Sequence, residues 1–260
     1  YTADFFRYIK ELELENEMYR IPYLNVKKDG KYETYDITPY ALTDPMTPGS
    51  VVKGASMLVG YNEGAIHIGE RILDECIKVA GVAEKCSYRT LGIIDDITAL
   101  AKSSNVYQFK TAIRVNGQEY FRNMKMNFNQ SAFDIYRKMY HSFGLGVKTE
   151  IDLPVESLGY TSKDRAAGNL LDFVMGQYET YTPIQLSQYI TTIANGGSRL
   201  KPRLLKEVHS SSDNDEIGKL EFKVEPKVLN TIENKFLKDT KFKKHMQSML
   251  LLQAYVSKLA

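Results

Sequence analysis

Ser50 and Lys53 stand three residues apart in the stretch TPGSVVKGASM, residues 47–57. A serine hydroxyl is a weak nucleophile until a base takes its proton, and a neutral lysine is one such base. A lysine becomes neutral near physiological pH only where burial disfavours its charge. The apolar run that follows Ser50 predicts such a buried helix. Thr47 is expected to cap that helix and Pro48 to fill its first position, which places Ser50 in the first turn. A first-turn amide has no intrahelical acceptor and sits at the positive end of the helix dipole, a place suited to an oxyanion. Lys53 lies one turn on, along the same face. Taken alone, the pair has a second reading: a capping serine and a lysine whose stem lies along apolar surface.

A second group of chemistry-bearing residues is Ser103-Ser104-Asn105. The segment IIDDITALAKSSN predicts a helix capped by Asp95 or Asp96 and broken at this triplet. The next helix is expected over VYQFKTAIRV. A hydroxyl and an amide in a loop between helices can relay a proton and hold a substrate amide. By itself the triplet also reads as an ordinary helix end.

The remaining elements must position these two groups. Residues 25–37 predict a β-hairpin turned at Lys28-Asp29-Gly30. Residues 2–17 predict a helix with Phe5, Ile9 and Leu12 on one side. Residues 63–75 suit a short strand with turns. QSAFDIYRKMYHSFG predicts a helix closed by Gly144. TPIQLSQYITTIANGG predicts a long amphipathic helix with Pro183 in its first turn and a double-glycine stop. Residues 209–218 read as a polar loop, and residues 234–245 as a basic helical run with a solvated face.

The 260 residues carry 34 Lys and Arg against 32 Asp and Glu, which gives no charge argument for a nucleic-acid partner. With 43% hydrophobic residues, a sizeable core can be built. Cys76 and Cys86 are expected to be two free thiols, with no short-spaced partners for a metal. The longest apolar stretch, residues 249–252, is far too short to span a bilayer. The chain begins at Tyr1, so an anchor or targeting segment is expected outside it.

Four blocks together resemble the class B penicillin-binding proteins, most of all the Gram-positive elongation-type group of pneumococcal penicillin-binding protein 2b. They are TPGSVVK, RTLGIIDDITALAKSSNVYQF, FGLGVKTEIDLP and MGQYETYTPIQLSQYITTIANGG, in the family's order between residues 36 and 205. The resemblance implies an α/β fold, a central antiparallel sheet flanked by helices with an all-helical subdomain. It places a transpeptidase domain over residues 27–260 and leaves 1–26 unplaced. It implies a peptidoglycan D,D-transpeptidase that β-lactams acylate. Ser50 would be the nucleophile, Lys53 its base and Ser103 the proton relay. Asn105 would hold the donor amide, with Ser104 beside it in the substrate-binding set. The scheme uses no metal and no organic cofactor, and gives His67, His141, His209 and His245 no role. Expected partners are peptidoglycan stem peptides, β-lactams and the elongation or division machinery, at the extracytoplasmic face of the bacterial membrane. A β-lactamase or β-lactam sensor of the same superfamily, and an inactive scaffold, are the alternatives. The family's third box, Lys-Thr-Gly or Lys-Ser-Gly, occurs nowhere in the 260 residues. It is expected beyond Ala260 or in segments missing between joined pieces, most readily after residue 207.

Overall fold

The computed structural model describes residues 23–28, 31–36 and 40–238, apart from Phe128, Pro154, Arg165, Ala167 and residues 212–216. The expected hairpin is formed by β1 (Tyr23–Lys28) and β2 (Lys31–Asp36), antiparallel from Tyr23↔Asp36 to Lys28↔Lys31. Its turn and the helix expected at residues 2–17 lie outside the described residues. After a short helix α1 (Tyr40–Thr43), a 3-10 turn (Gly49–Val52) runs directly into α2 (Lys53–Asn62).

α2 is the central element. Every residue from Lys53 to Gly60 is buried, as its apolar sequence requires. It packs against α3 (Asp96–Ala101), α4 (Asn105–Val115) and α5 (Gln130–Ser142). Close approach to α4 explains Gly60, since a Cβ there would lie 2.5 Å from the Thr111 methyl. The one hydroxyl deep in this helix is satisfied. Ser56 donates to the Val174 carbonyl at 2.8 Å and accepts from the Tyr140 hydroxyl at 2.6 Å.

α3 begins where predicted, with the Asp95 carboxylate accepting from the Thr98 amide at 2.7 Å. α5 buries Ala132, Phe133, Tyr136, Arg137 and Tyr140, the helical spacing of a core-facing stripe. Its end at Ser142 is followed by Gly144 at φ +97°, the left-handed turn the sequence indicated. α6 (Asn169–Val174) adds Phe173 to an aromatic cluster with Phe133, Tyr136 and Tyr140, centroids 5.0–6.3 Å apart. α7 (Pro183–Ala194) opens with a complete capping box between Thr182 and Gln185 and stops at Gly196 and Gly197.

Among the described residues the named strand pairs are antiparallel. β3 (Ile72–Asp74) pairs with β4 (Gly92–Ile94). β5 (Ser198–Leu200) pairs with β8 (Val228–Thr231), and β6 (Glu207–His209) with β7 (Leu220–Lys223). The expected mixture of helices and antiparallel strands is therefore present. Among the described residues the strands pair two by two, not as one wide sheet. Of the basic run, residues 234–238 are described, and they include α8 (Lys235–Lys238). Part of the polar loop, residues 212–216, is also outside.

The expectation of two free thiols is overturned. Cys76 and Cys86 form a disulfide, with Cα atoms 4.3 Å apart. The cause is a backbone pairing that the sequence does not announce. Ile77 and Lys85 exchange two hydrogen bonds, at 2.8 and 2.9 Å, and bring the flanking cysteines face to face. Glu84 also falls beside the two sulfurs, contrary to the expectation of no partner, but the sulfurs are already joined.

Candidate active site

Ser50 lies in the 3-10 turn, half-buried, and its hydroxyl makes no hydrogen bond among the described residues. The turn is not capped as expected. Pro48, not Thr47, holds the cap position, and no side chain caps it. The physical reason is Gly49 at φ +56°, which swings the chain so that its amide donates to the Gly176 carbonyl at 2.9 Å. The GQ pair of the fourth block thus docks onto the residue before Ser50. Gly176 itself, at φ +84°, permits the approach, because a Cβ there would lie 2.1 Å from the Gly49 oxygen. Two further bonds between Met46 and Tyr181, both 2.9 Å, clamp the approach to the turn.

Lys53 is the first residue of α2 and is fully buried. Its Nζ donates to the Ser103 carbonyl (2.7 Å), the Ser103 hydroxyl (3.0 Å) and the Asn105 side-chain oxygen (2.6 Å). Three acceptors match the three protons of an ammonium. Burial nevertheless pushes the amine down to about 7, with the charge of Asp74 opposing the shift. The structure therefore brings Lys53, Ser103 and Asn105 together. Ser50 is not among the hydrogen-bond partners of Lys53.

The loop between α3 and α4 is bent to serve this contact. Ser103 sits at φ +52°, a left-handed conformation uncommon for a side chain with a Cβ. It turns both its carbonyl and its hydroxyl toward Nζ. Asn105 opens α4 and reaches back to Lys53 with one side-chain atom while donating to the Cys86 carbonyl (3.2 Å) with the other.

Ser104 is placed differently from Ser103 and Asn105. It is wholly buried and is the cap of α4, its hydroxyl accepting from the Tyr107 amide at 3.0 Å. It also hydrogen-bonds the Asp74 carboxylate. Those contacts turn its side chain inward.

Sequence reasoning missed three supports. Asp74 is buried at the end of β3 and accepts from both Ser104 and Ser87. The Ser87 hydroxyl, bonded to the Asn105 and Val106 amides at 3.0 and 3.2 Å, ties the disulfide loop to the start of α4. A buried Arg137–Glu179 pair anchors the fourth block against α5, with the Tyr181 hydroxyl also on Glu179. A buried pair of this kind is costly to break by removing one partner. No spacing signal in the sequence singles out Asp74 or Ser87, because each becomes relevant only through chain crossing. Of the histidines, His67 pairs with Glu70 at the surface, and none joins the cluster around Lys53 among the described residues.

The penicillin binding protein transpeptidase domain family matches residues 16–244. Penicillin-binding protein 2A of Bacillus subtilis is 45% identical over 210 residues, covering 80% of this chain and 29% of that protein. Penicillin-binding protein 2B of Streptococcus pneumoniae is 35% identical over 216 residues, covering 80% of this chain and 32% of its own. A solved structure of the pneumococcal protein superposes with a TM-score of 0.74 at 30% identity, over 87% of this chain and 38% of that one. The chain thus spans about a third of the length of the relatives it matches. It belongs to the penicillin-binding protein transpeptidase family, within the class B group that the Bacillus and pneumococcal proteins represent.

Proposed function

We propose that this chain is the catalytic part, residues 27–260, of a serine D,D-transpeptidase that cross-links peptidoglycan stem peptides. One observation carries the reading: a fully buried lysine amine, pushed down to about 7 and held by Ser103 and Asn105, three residues from Ser50. At pH 7 about half of such an amine is neutral, against about one part in three thousand for an ordinary lysine.

In the proposed reaction the donor is a stem peptide ending in D-Ala–D-Ala. Its penultimate carbonyl lies over Ser50, and the hydroxyl turns to meet Lys53, as contacts in free enzymes tighten on binding. Lys53 takes the proton while Oγ adds to the carbonyl carbon. The Ser50 amide supplies one donor to the oxyanion. The C–N bond then breaks, and the Ser103 hydroxyl passes a proton to the departing D-Ala nitrogen. Asn105 holds the donor amide. An amine of a neighbouring stem attacks the acyl-enzyme and releases Ser50. A β-lactam enters the same path and stays on Ser50 as an ester.

Cellular partners in elongation or division, and a place at the extracytoplasmic face of the bacterial membrane, belong to the same proposal. The Cys76–Cys86 disulfide supports an oxidising compartment. Among the described residues no helix is long and apolar enough to cross a membrane.

A second reading is an inactive penicillin-binding-like scaffold, because the other oxyanion donor is not assigned among these 260 residues. Fluorescent penicillin decides between them. The protein is labelled, digested, and the modified peptide found by mass spectrometry. The expected label is on Ser50, is lost in Ser50→Ala, and leaves the thermal midpoint of that variant nearly unchanged. No label, or a label that persists in Ser50→Ala, removes the transpeptidase reading. Rapid release of hydrolysed penicillin would identify a β-lactamase instead.

A further inference from the structure

α7 crosses the seam between the 3-10 turn and α2. At that crossing stands Tyr189, wholly buried, with its ring edge-on to Phe143 (centroids 5.2 Å, planes 86°). Its hydroxyl accepts from the Ala55 amide at 3.1 Å and donates to the Val51 carbonyl at 3.0 Å. Ala55 and Val51 are four residues apart. In an unbroken α-helix these two groups bond each other directly. Here a phenol oxygen is inserted between them, a recognised way to interrupt the ladder. Upstream of the insertion the backbone is 3-10, with the Lys53 amide on the Ser50 carbonyl, an i to i−3 bond. Downstream it is α-helix.

The insertion falls between the two residues of the motif. Ser50 is on the 3-10 side and Lys53 opens the α side. Residues three apart eclipse in a 3-10 helix and are splayed by about 60° in an α-helix. The hand-over point between the two therefore fixes how the Ser50 hydroxyl is aimed relative to the Lys53 amine. Lys53 is held separately by Ser103 and Asn105, so a change at the seam moves Ser50 and leaves the amine in place. Burial pushes the Tyr189 phenol far above its ordinary range, so it remains a donor throughout the working pH range.

We infer that Tyr189 is a positioning residue whose hydroxyl, inserted between Ala55 and Val51, sets the aim of Ser50 at Lys53. This rests on the reading of Ser50 as nucleophile, and the test keeps the two apart. The full chain and its Tyr189→Phe variant are acylated with fluorescent penicillin, and the initial complex is resolved from the covalent step by varying penicillin concentration. Tyr189→Phe keeps the ring and removes only the bridging oxygen. The covalent rate is expected to fall at least tenfold, with the dissociation constant of the initial complex unchanged. Phe143→Leu serves as the second variant, since it loosens the packing of α7 but keeps the bridge. It should lower the thermal midpoint and leave the covalent rate near that of the parent. A Tyr189→Phe protein that acylates at the parental rate overturns the inference while Ser50 keeps its role. A Phe143→Leu protein that loses covalent rate in step with its thermal midpoint also overturns it, because packing alone would then suffice. A parent chain that takes no label at Ser50 overturns both.

Discussion

Protonating Lys53 should switch acylation off, and the structure sets both the pH and the size of the effect. The amine is fully buried and pushed from 10.5 down to about 7, chiefly by the loss of solvation. That difference corresponds to roughly 5 kcal/mol between the protonation states, at about 1.4 kcal/mol per unit. The free base is the reactive form, so the second-order rate of acylation by a penicillin should fall about tenfold per unit below pH 7 and level off above about pH 8. The same shift has a stability consequence of fixed sign. Between about 7 and 10.5 the unfolded chain binds the lysine proton and the folded chain does not, so stability rises with pH across that window. Below about 7 the folded state carries the full cost of the buried charge. Lys53→Met removes that cost. Its advantage over the parent should be greatest below pH 7 and should shrink as the pH is raised, with about 5 kcal/mol as the upper limit. The loss of bonds to Ser103 and Asn105 will reduce it. Stopped-flow acylation from pH 5 to pH 9 and denaturant melts of both proteins at each pH give the two curves. A flat acylation profile from pH 5 to pH 8, or a Lys53→Met protein whose relative stability does not depend on pH, would refute the assignment of a neutral buried amine.

Asp74→Asn removes the charge that opposes the shift at Lys53, so the acid limb of the acylation profile should move to lower pH; an unmoved limb, read in the same stopped-flow series, contradicts the coupling. Gly176→Ala places a Cβ 2.1 Å from the Gly49 oxygen at φ +84°, and should cost about 2–4 kcal/mol in a denaturant melt together with most of the acylation rate. Reduction of Cys76–Cys86 opens a short loop, worth about 3 kcal/mol by loop entropy, and frees the Cys86 carbonyl that Asn105 holds. A lower thermal midpoint in reductant, with slower acylation, is the expected result, and calorimetry alongside labelling checks it.

Local chemistry was legible in the residues. The Asp95 cap, the break at the Ser103–Asn105 triplet, Pro183 in the first turn of α7 and the glycine stops at Gly144 and Gly196 depend on residues acting on their own neighbouring backbone, so sequence spacing alone specifies them. The burial of α2 followed from a run that is apolar on most sides, and the low pKa of Lys53 followed from that burial. What the tertiary structure decided are the contacts between distant segments. The disulfide needed the Ile77–Lys85 pairing, and the start of the Ser50 turn needed Gly176 instead of Thr47. Ser104 looked like its neighbours in the triplet, yet Asp74, thirty residues upstream, turned it into the core. Nothing in the spacing of the amphipathic helix singled out Tyr189, whose hydroxyl falls between Ala55 and Val51, over a hundred residues earlier. A residue's bond to its own turn is fixed by a few dihedral angles, whereas its bond across the molecule exists only once the whole chain has closed around it.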